Sequence, residues 1–186
     1  MTAISSGGRR AVRTTLAAGA VSLGLVTLSA CEKPTSYAHF TLGSDTSSVE
    51  TPSGCYGHGE PLSEKRVESC LEKREGAPEF AALEGDMFRI GVDPSIAETG
   101  WVLYINGTQV TEPMTSTYRS FPADQILTVG RQQAPADDPE AEAPADALVS
   151  IVQVDEDYDP EAQDEEGMRV PPEILGVWHA LLTPDE

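Results

Sequence analysis

The chain has 186 residues, with 12 Lys and Arg against 31 Asp and Glu, a formal net charge of −19 and three cysteines. So acidic a protein offers few contacts to phosphate, which argues against nucleic acid as a partner and against charge-driven docking on anionic lipid head groups. Cations remain admissible partners, and the length suits one domain.

Residues 1–30 read as an export signal in three parts. Arg9, Arg10 and Arg13 make a positive start, Leu16 to Leu28 an apolar stretch, and Ser29-Ala30 a small-residue cleavage point. The apolar stretch is about 13 residues, short of the roughly 20 needed to span a bilayer. Leu28-Ser29-Ala30-Cys31 has the form of a lipobox, in which cleavage falls just before a cysteine that takes lipid. A plain secretory signal with an incidental cysteine is the alternative. Arg9-Arg10 also suggests twin-arginine export, although Ala11-Val12-Arg13 fits that route poorly. Cys31 resembles the cysteine of a bacterial lipoprotein, which carries a diacylglyceryl group, and two acyl chains give stable attachment where one does not. The expectation is a mature chain anchored at Cys31 on the outer face of the cell membrane. Losing the leader leaves nine basic side chains against 31 acids, a net charge of −22.

With Cys31 taken by lipid, Cys55 and Cys70 are left as a pair in an oxidising compartment. A disulfide between them closes a loop of about 15 residues, worth about 3 kcal/mol by chain entropy. A metal site on Cys55, His58 and Cys70 competes with it, without an evident fourth ligand.

Residues 31–36 form a polar tether, and 37–186 a single β-rich domain. Tyr37 to Leu42 alternates, with Ala38, Phe40 and Leu42 on one side, as a half-buried strand does. Residues 43–61 are rich in Ser, Gly, Thr and Pro and read as loop. Ser63 has the character of an N-cap for a short helix to about Lys73, with Val67, Cys70 and Leu71 on one face. Met87 to Val92 alternates again, with Phe88, Ile90 and Val92 inward. Asp93-Pro94 resembles a cap followed by proline at the first helical position, and Gly100 ends the turn. Trp101 to Ile105 is apolar on both faces, as in a central strand. Asn106-Gly107 is a hairpin signal because both positions tolerate positive φ, with the return expected over Thr108 to Thr111. Thr117 to Phe121 and Ile126 to Val129 are two further strand candidates. An Ala/Pro/acid-rich stretch at about 132–147 reads as a disordered insert. Leu148 to Val154 is a strand, 155–173 an acidic segment, and Ile174 to Leu182 a last strand containing Trp178 and His179.

Short strands, hairpin-length connections and one short helix predict an all-β, mainly antiparallel protein, an immunoglobulin-like β-sandwich. A small α+β domain is the alternative. The segments Gly91 to Ala97, Gly100-Trp101, Tyr104 to Gly107 and Gly176 to His179 resemble a group of small actinobacterial putative lipoproteins classed as a domain of unknown function. The resemblance runs from the lipobox to the last strand, is most specific from Asp93 to Gly107, and does not include the insert. It implies a surface-anchored domain and supplies no catalytic residues.

The richest site candidate is the acidic segment. Asp155, Asp157, Asp159 and Glu166 match positions 1, 3, 5 and 12 of a calcium loop, whose hard oxygens wrap one ion. Pro160 replaces the turn glycine, Ala162 the usual aliphatic residue, and strands flank the segment where an EF-hand has helices. With eight carboxylates between 155 and 166, a solvated acidic loop is the bland reading. His39 and His179, both in predicted strands, could with His58 hold copper or zinc, against the commoner role of packed or surface histidines. Trp101, Tyr104 and Trp178 could line a sugar or peptide surface but lie in apolar strands that favour core packing. Gly-x-Ser-x-Gly, His-Glu-x-x-His and phosphate-loop motifs are absent. The expectation is therefore a non-catalytic module that meets an envelope protein partner, with a calcium-binding domain as the alternative.

Overall fold

Wherever strands Trp101 to Ile105 and Leu148 to Val154 run, both faces must be covered, because each strand carries apolar side chains on both faces, with only Ser150 and Gln153 polar; the architecture follows from that demand. The computed structural model describes residues 35–133, 145–163, 165, 167–168 and 170–185. Residues 1–34, with Cys31 and the residues read as a leader, lie outside them, as do Glu166 and most of the stretch at 132–147 read as an insert.

The described residues form nine strands and three helices. In chain order these are β1 Ala38–Leu42, β2 Asp45–Val49, α1 Glu64–Leu71, β3 Glu79–Ala82, β4 Met87–Val92 and α2 Pro94–Thr99. Then come β5 Trp101–Ile105, β6 Thr108–Gln109, β7 Tyr118–Pro122, α3 Ala123–Gln132, β8 Ala147–Val154 and β9 Ile174–Pro184. One sheet is antiparallel, ordered β2-β1-β4-β7. The other is mixed, ordered β3-β9-β8-β5-β6, with β3 parallel to β9.

The sheets share one apolar core. Ala38, Phe40, Leu42, Phe88, Ile90 and Val92 supply the four-stranded side, and Trp101, Leu103, Val149, Ile151, Trp178 and Ala180 the five-stranded side. Phe88 stacks on Phe40 within its own sheet and meets Phe80 of β3 edge-on at 5.5 Å. The outer face of the five-stranded sheet is covered too. Val102, Tyr104, Val152, Val154 and Val177 pack there against Cys55, Cys70, Val67 and Leu71. This explains why β5 and β8 are buried at every position, while β1 and β4, open on one face, alternate.

The disulfide Cys55–Cys70 is formed, with Cα atoms 5.7 Å apart. It binds α1 to the loop before it, over the second core. Ser63 is the N-cap of α1, but its carbonyl, not its hydroxyl, takes the Arg66 and Val67 N–H groups. Asp93 likewise caps α2 through its carbonyl, and its carboxylate instead accepts the Tyr37 N–H at 2.8 Å. At the predicted hairpin both Asn106 and Gly107 have positive φ, 46° and 80°.

Three sequence expectations are corrected. Ile126 to Val129 is helix, not strand. Ala123, Ile126, Leu127 and Gly130 fall at helical spacing and all are buried; the apolar run Ile126-Leu127-Thr128-Val129 hides a period that only the longer window shows. Helix α3 also reaches into the start of the stretch read as insert. Residues 43–61 are not all loop, because β2 pairs with β1 through a tight turn in which Gly43 has φ 58°. A solvated edge strand needs no apolar side chains, so Asp45, Thr46 and Ser48 gave no pattern. β3 was unmarked for a related reason: four residues lying parallel to β9 need only Phe80 and Ala82 inward.

Candidate functional site

The acidic segment is a loop between β8 and β9, closed at its neck by the Asp155 N–H on the Glu173 carbonyl. Residues 155–161 form two Asx turns. Asp155 Oδ1 accepts the Asp157 N–H at 3.0 Å and Asp159 Oδ1 the Glu161 N–H at 2.9 Å. Asp155, Asp157 and Asp159 line one open recess of about 350 Å³ together with Tyr158 and Glu173. Among the described residues, no group of three or more His, Cys, Asp or Glu is arranged to hold a metal ion. Glu166, the twelfth position of the calcium pattern, lies outside the described residues.

The histidines are not brought together. His39 is on the solvent face of β1, and His179 is 2% exposed in the other sheet. His179 is fully used. Its Nδ1 accepts from the Ser150 hydroxyl and its Nε2 donates to the Cys70 carbonyl, both at 2.8 Å. Burial pushes its pKa down to about 4, against the opposing pull of the Cys70 hydrogen bond. It is a neutral core histidine. His58 stands at positive φ with its ring 4.8 Å from that of Tyr56. His39 is held between Ser48, whose hydroxyl is 2.8 Å from Nδ1, and Asp93, 3.6 Å from Nε2. Sequence reading missed that alignment, because Ser48 sits in the unrecognised strand β2.

The aromatic candidates are core. Trp101 and Trp178 are fully buried and Tyr104 nearly so. Each indole is satisfied, Trp101 on the Ser116 carbonyl and Trp178 on the Ser36 carbonyl, at 2.9 Å. The second bond matters for position, since it fixes Ser36 against β9. Ser36 also bonds Ser95 at 2.7 Å, and Gln153 at the end of β8 reaches the Ser95 carbonyl at 3.1 Å. The point where the domain begins and the acidic loop between β8 and β9 are thereby at the same end of the sheets.

Beside β2 the described surface carries a feature that no motif announced. A groove of about 500 Å³ runs beside β2. Ser47, Ser48, Val49 and Glu50 form one wall, and Glu75 to Pro78, the approach to β3, the other; His179 backs it. Among the described residues, no Lys or Arg lines it.

No family model matches the chain, and no similar curated protein or solved structure is found for it. No helix among the described residues is long and apolar enough to cross a membrane.

Proposed function

We propose that this protein is a lipid-anchored, non-catalytic interaction module on the outer face of the cell membrane. The observation that carries the reading is the short stretch of sequence between Cys31 and the first anchored residue of the fold. The lipobox cysteine stands five residues before Ser36, whose carbonyl is already bonded to Trp178. Five residues span at most about 18 Å when extended, so an acyl group on Cys31 would hold this end of the sheets close to the bilayer. The buried Cys55–Cys70 disulfide fits an oxidising compartment. The resemblance to small actinobacterial lipoproteins points the same way. The finer fold label, an immunoglobulin-like sandwich, belongs to this proposal as well. Two sheets around one core support it, whereas the parallel β3–β9 pair and a disulfide joining loop to helix depart from that pattern.

The test is metabolic labelling with a radioactive fatty acid followed by cell fractionation. The parent chain should carry label and sediment with membranes, and Cys31→Ala should lose both. A Cys31→Ala chain that stays with the membranes, or an unlabelled parent, would sink the anchor.

A second reading, calcium binding by Asp155, Asp157, Asp159 and Glu166, draws on one observation: three of the four carboxylates share a recess. A site that binds only the folded state stabilises it by about 2.7 kcal/mol at a hundredfold excess over Kd. Melting unchanged by millimolar calcium would remove this reading.

A further inference from the structure

We infer that the groove beside β2 receives an extended, lysine- or arginine-rich segment of another envelope protein, added as a fifth strand to the edge of the four-stranded sheet; this deepens the reading of the chain as an interaction module and rests on it. Among the described residues, β2 is the outermost strand of its sheet and pairs only with β1. An outermost strand presents a row of unpaired N–H and C=O groups, a template for another chain. Proteins blunt such edges with lysine, proline or a bulge. Charge in general blunts them too, and Asp45 supplies one at the start of β2, but Ser47 to Val49, the part along the groove, carry no charge, proline or bulge, and Pro52 comes only after the strand ends. The groove runs along three of the five β2 residues and on to Pro52, with space for a strand's side chains between that wall and Ala77-Pro78.

Charge decides the occupant. Glu50 and Glu75, far apart in sequence, both line the groove. Glu50 also holds the Tyr37 phenol by a hydrogen bond, which, with the carboxylate's charge, raises that phenol's pKa. Lys73 does not line the groove, and its ammonium is placed on the Ser53 carbonyl at 2.9 Å. A second copy of this chain could also pair along β2, but it would bring another −22 of charge, and like charges brought together oppose association. A basic strand gains main-chain bonds from β2 and attraction from both glutamates, the β-augmentation mode of peptide recognition. Tyr37, which lines the groove, follows Cys31 by six residues. The partner segment would therefore be met near the membrane surface.

The experiment uses the full chain in non-ionic detergent and a fluorescent eight-residue peptide of alternating Lys and Val, read by anisotropy. Saturable binding is expected, at least tenfold weaker for an alternating Glu and Val peptide and for the Glu50→Lys/Glu75→Lys chain. Glu64→Lys/Glu68→Lys, the same charge change made on α1, should keep the affinity. If it loses as much, the attraction is only the protein's overall charge and the inference falls. The same peptide N-methylated at every residue leaves the protein untouched and cannot donate to β2; undiminished binding of it overturns the strand-addition mode. Sedimentation showing a dimer that Glu50→Lys/Glu75→Lys strengthens would assign the edge to a second copy instead. None of these outcomes depends on fatty-acid labelling of Cys31, so the groove and the anchor stand or fall separately.

Discussion

The Nε2–H of His179 donates to the carbonyl of Cys70 across 2.8 Å, so a histidine of β9 is bonded to the last turn of the disulfide-bearing helix. A carbonyl only accepts, so this nitrogen carries the proton, and Nδ1 is left to accept from Ser150. The ring is neutral, buried and satisfied on both sides.

This arrangement has a pH signature. Burial lowers the folded-state pKa of His179 to about 4, below the ordinary 6.5. Above pH 6.5 both folded and unfolded states hold a neutral ring, and stability from this group is at its full value. As pH falls from 6.5 toward 4 the unfolded chain binds the proton first, and stability is lost, by up to about 3 kcal/mol over the window. Urea denaturation between pH 7 and 5 should show the decline, and His179→Gln should flatten it. An equal slope in the variant would assign the effect to other groups.

The cross-link beside that histidine holds the second core. Cys55→Ala/Cys70→Ala should lower stability by about 3 kcal/mol, the entropy of a loop with sequence separation 15. The far-ultraviolet spectrum should be kept, since the core between the sheets does not include either cysteine. A double variant as stable as its parent would mean that α1 is held by Val67, Leu71 and His179 alone.

What could be read from the sequence follows burial. Trp101 to Ile105 must be central, because a strand apolar on both faces has no other place, and the structure covers both of its faces. The Asp93-Pro94 start of α2 and the Asn106-Gly107 turn were legible because each demands a particular backbone shape. β2 was not, since Thr46 and Ser48 point to water and bond across the strand pair to Thr41 and His39. The groove was invisible for the same reason. Its walls come from 47–52 and 75–78, stretches with no periodicity, and only the return of β3 alongside β9 sets them face to face. The acidic loop shows the reverse case: a legible pattern at Asp155, Asp157 and Asp159, two of which are engaged in turning the chain.

Asn106 does more than turn the hairpin. Its Oδ1 accepts the Leu148 N–H at 2.9 Å and its Nδ2 donates to the Gly130 carbonyl at 3.2 Å, joining the turn to β8 and to the end of α3. Asn106→Gly keeps the positive φ and loses both bonds, for about 1–2 kcal/mol. Asn106→Ala should cost about 1 kcal/mol more, because alanine pays the left-handed penalty as well. Thermal denaturation of the two variants separates the contributions, and equal losses would show that backbone shape at Asn106 is immaterial.

Gly176 lies where β9 passes beneath Trp178. A Cβ there would stand 2.7 Å from Trp178 Cη2 and 2.9 Å from Tyr56 Cδ2, closer than carbon atoms pack. Gly176→Ala must therefore displace the fully buried Trp178 indole, the Tyr56 ring or the strand itself, and an overpacked core costs about 1–3 kcal/mol; the indole is expected to move. The displacement has a second consequence, because the same indole holds the Ser36 carbonyl where the domain begins. Trp178→Phe removes both the clashing ring edge and that hydrogen bond, for a loss of its own. The pair should then couple: in Gly176→Ala/Trp178→Phe the alanine finds room, and the double loss falls short of the two single losses added together. Amide exchange at Tyr37 should quicken in both single variants if Trp178 is what fixes the start of the domain. Additive losses with unchanged exchange at Tyr37 would mean that the strand shifts to admit the methyl group and leaves the indole in place.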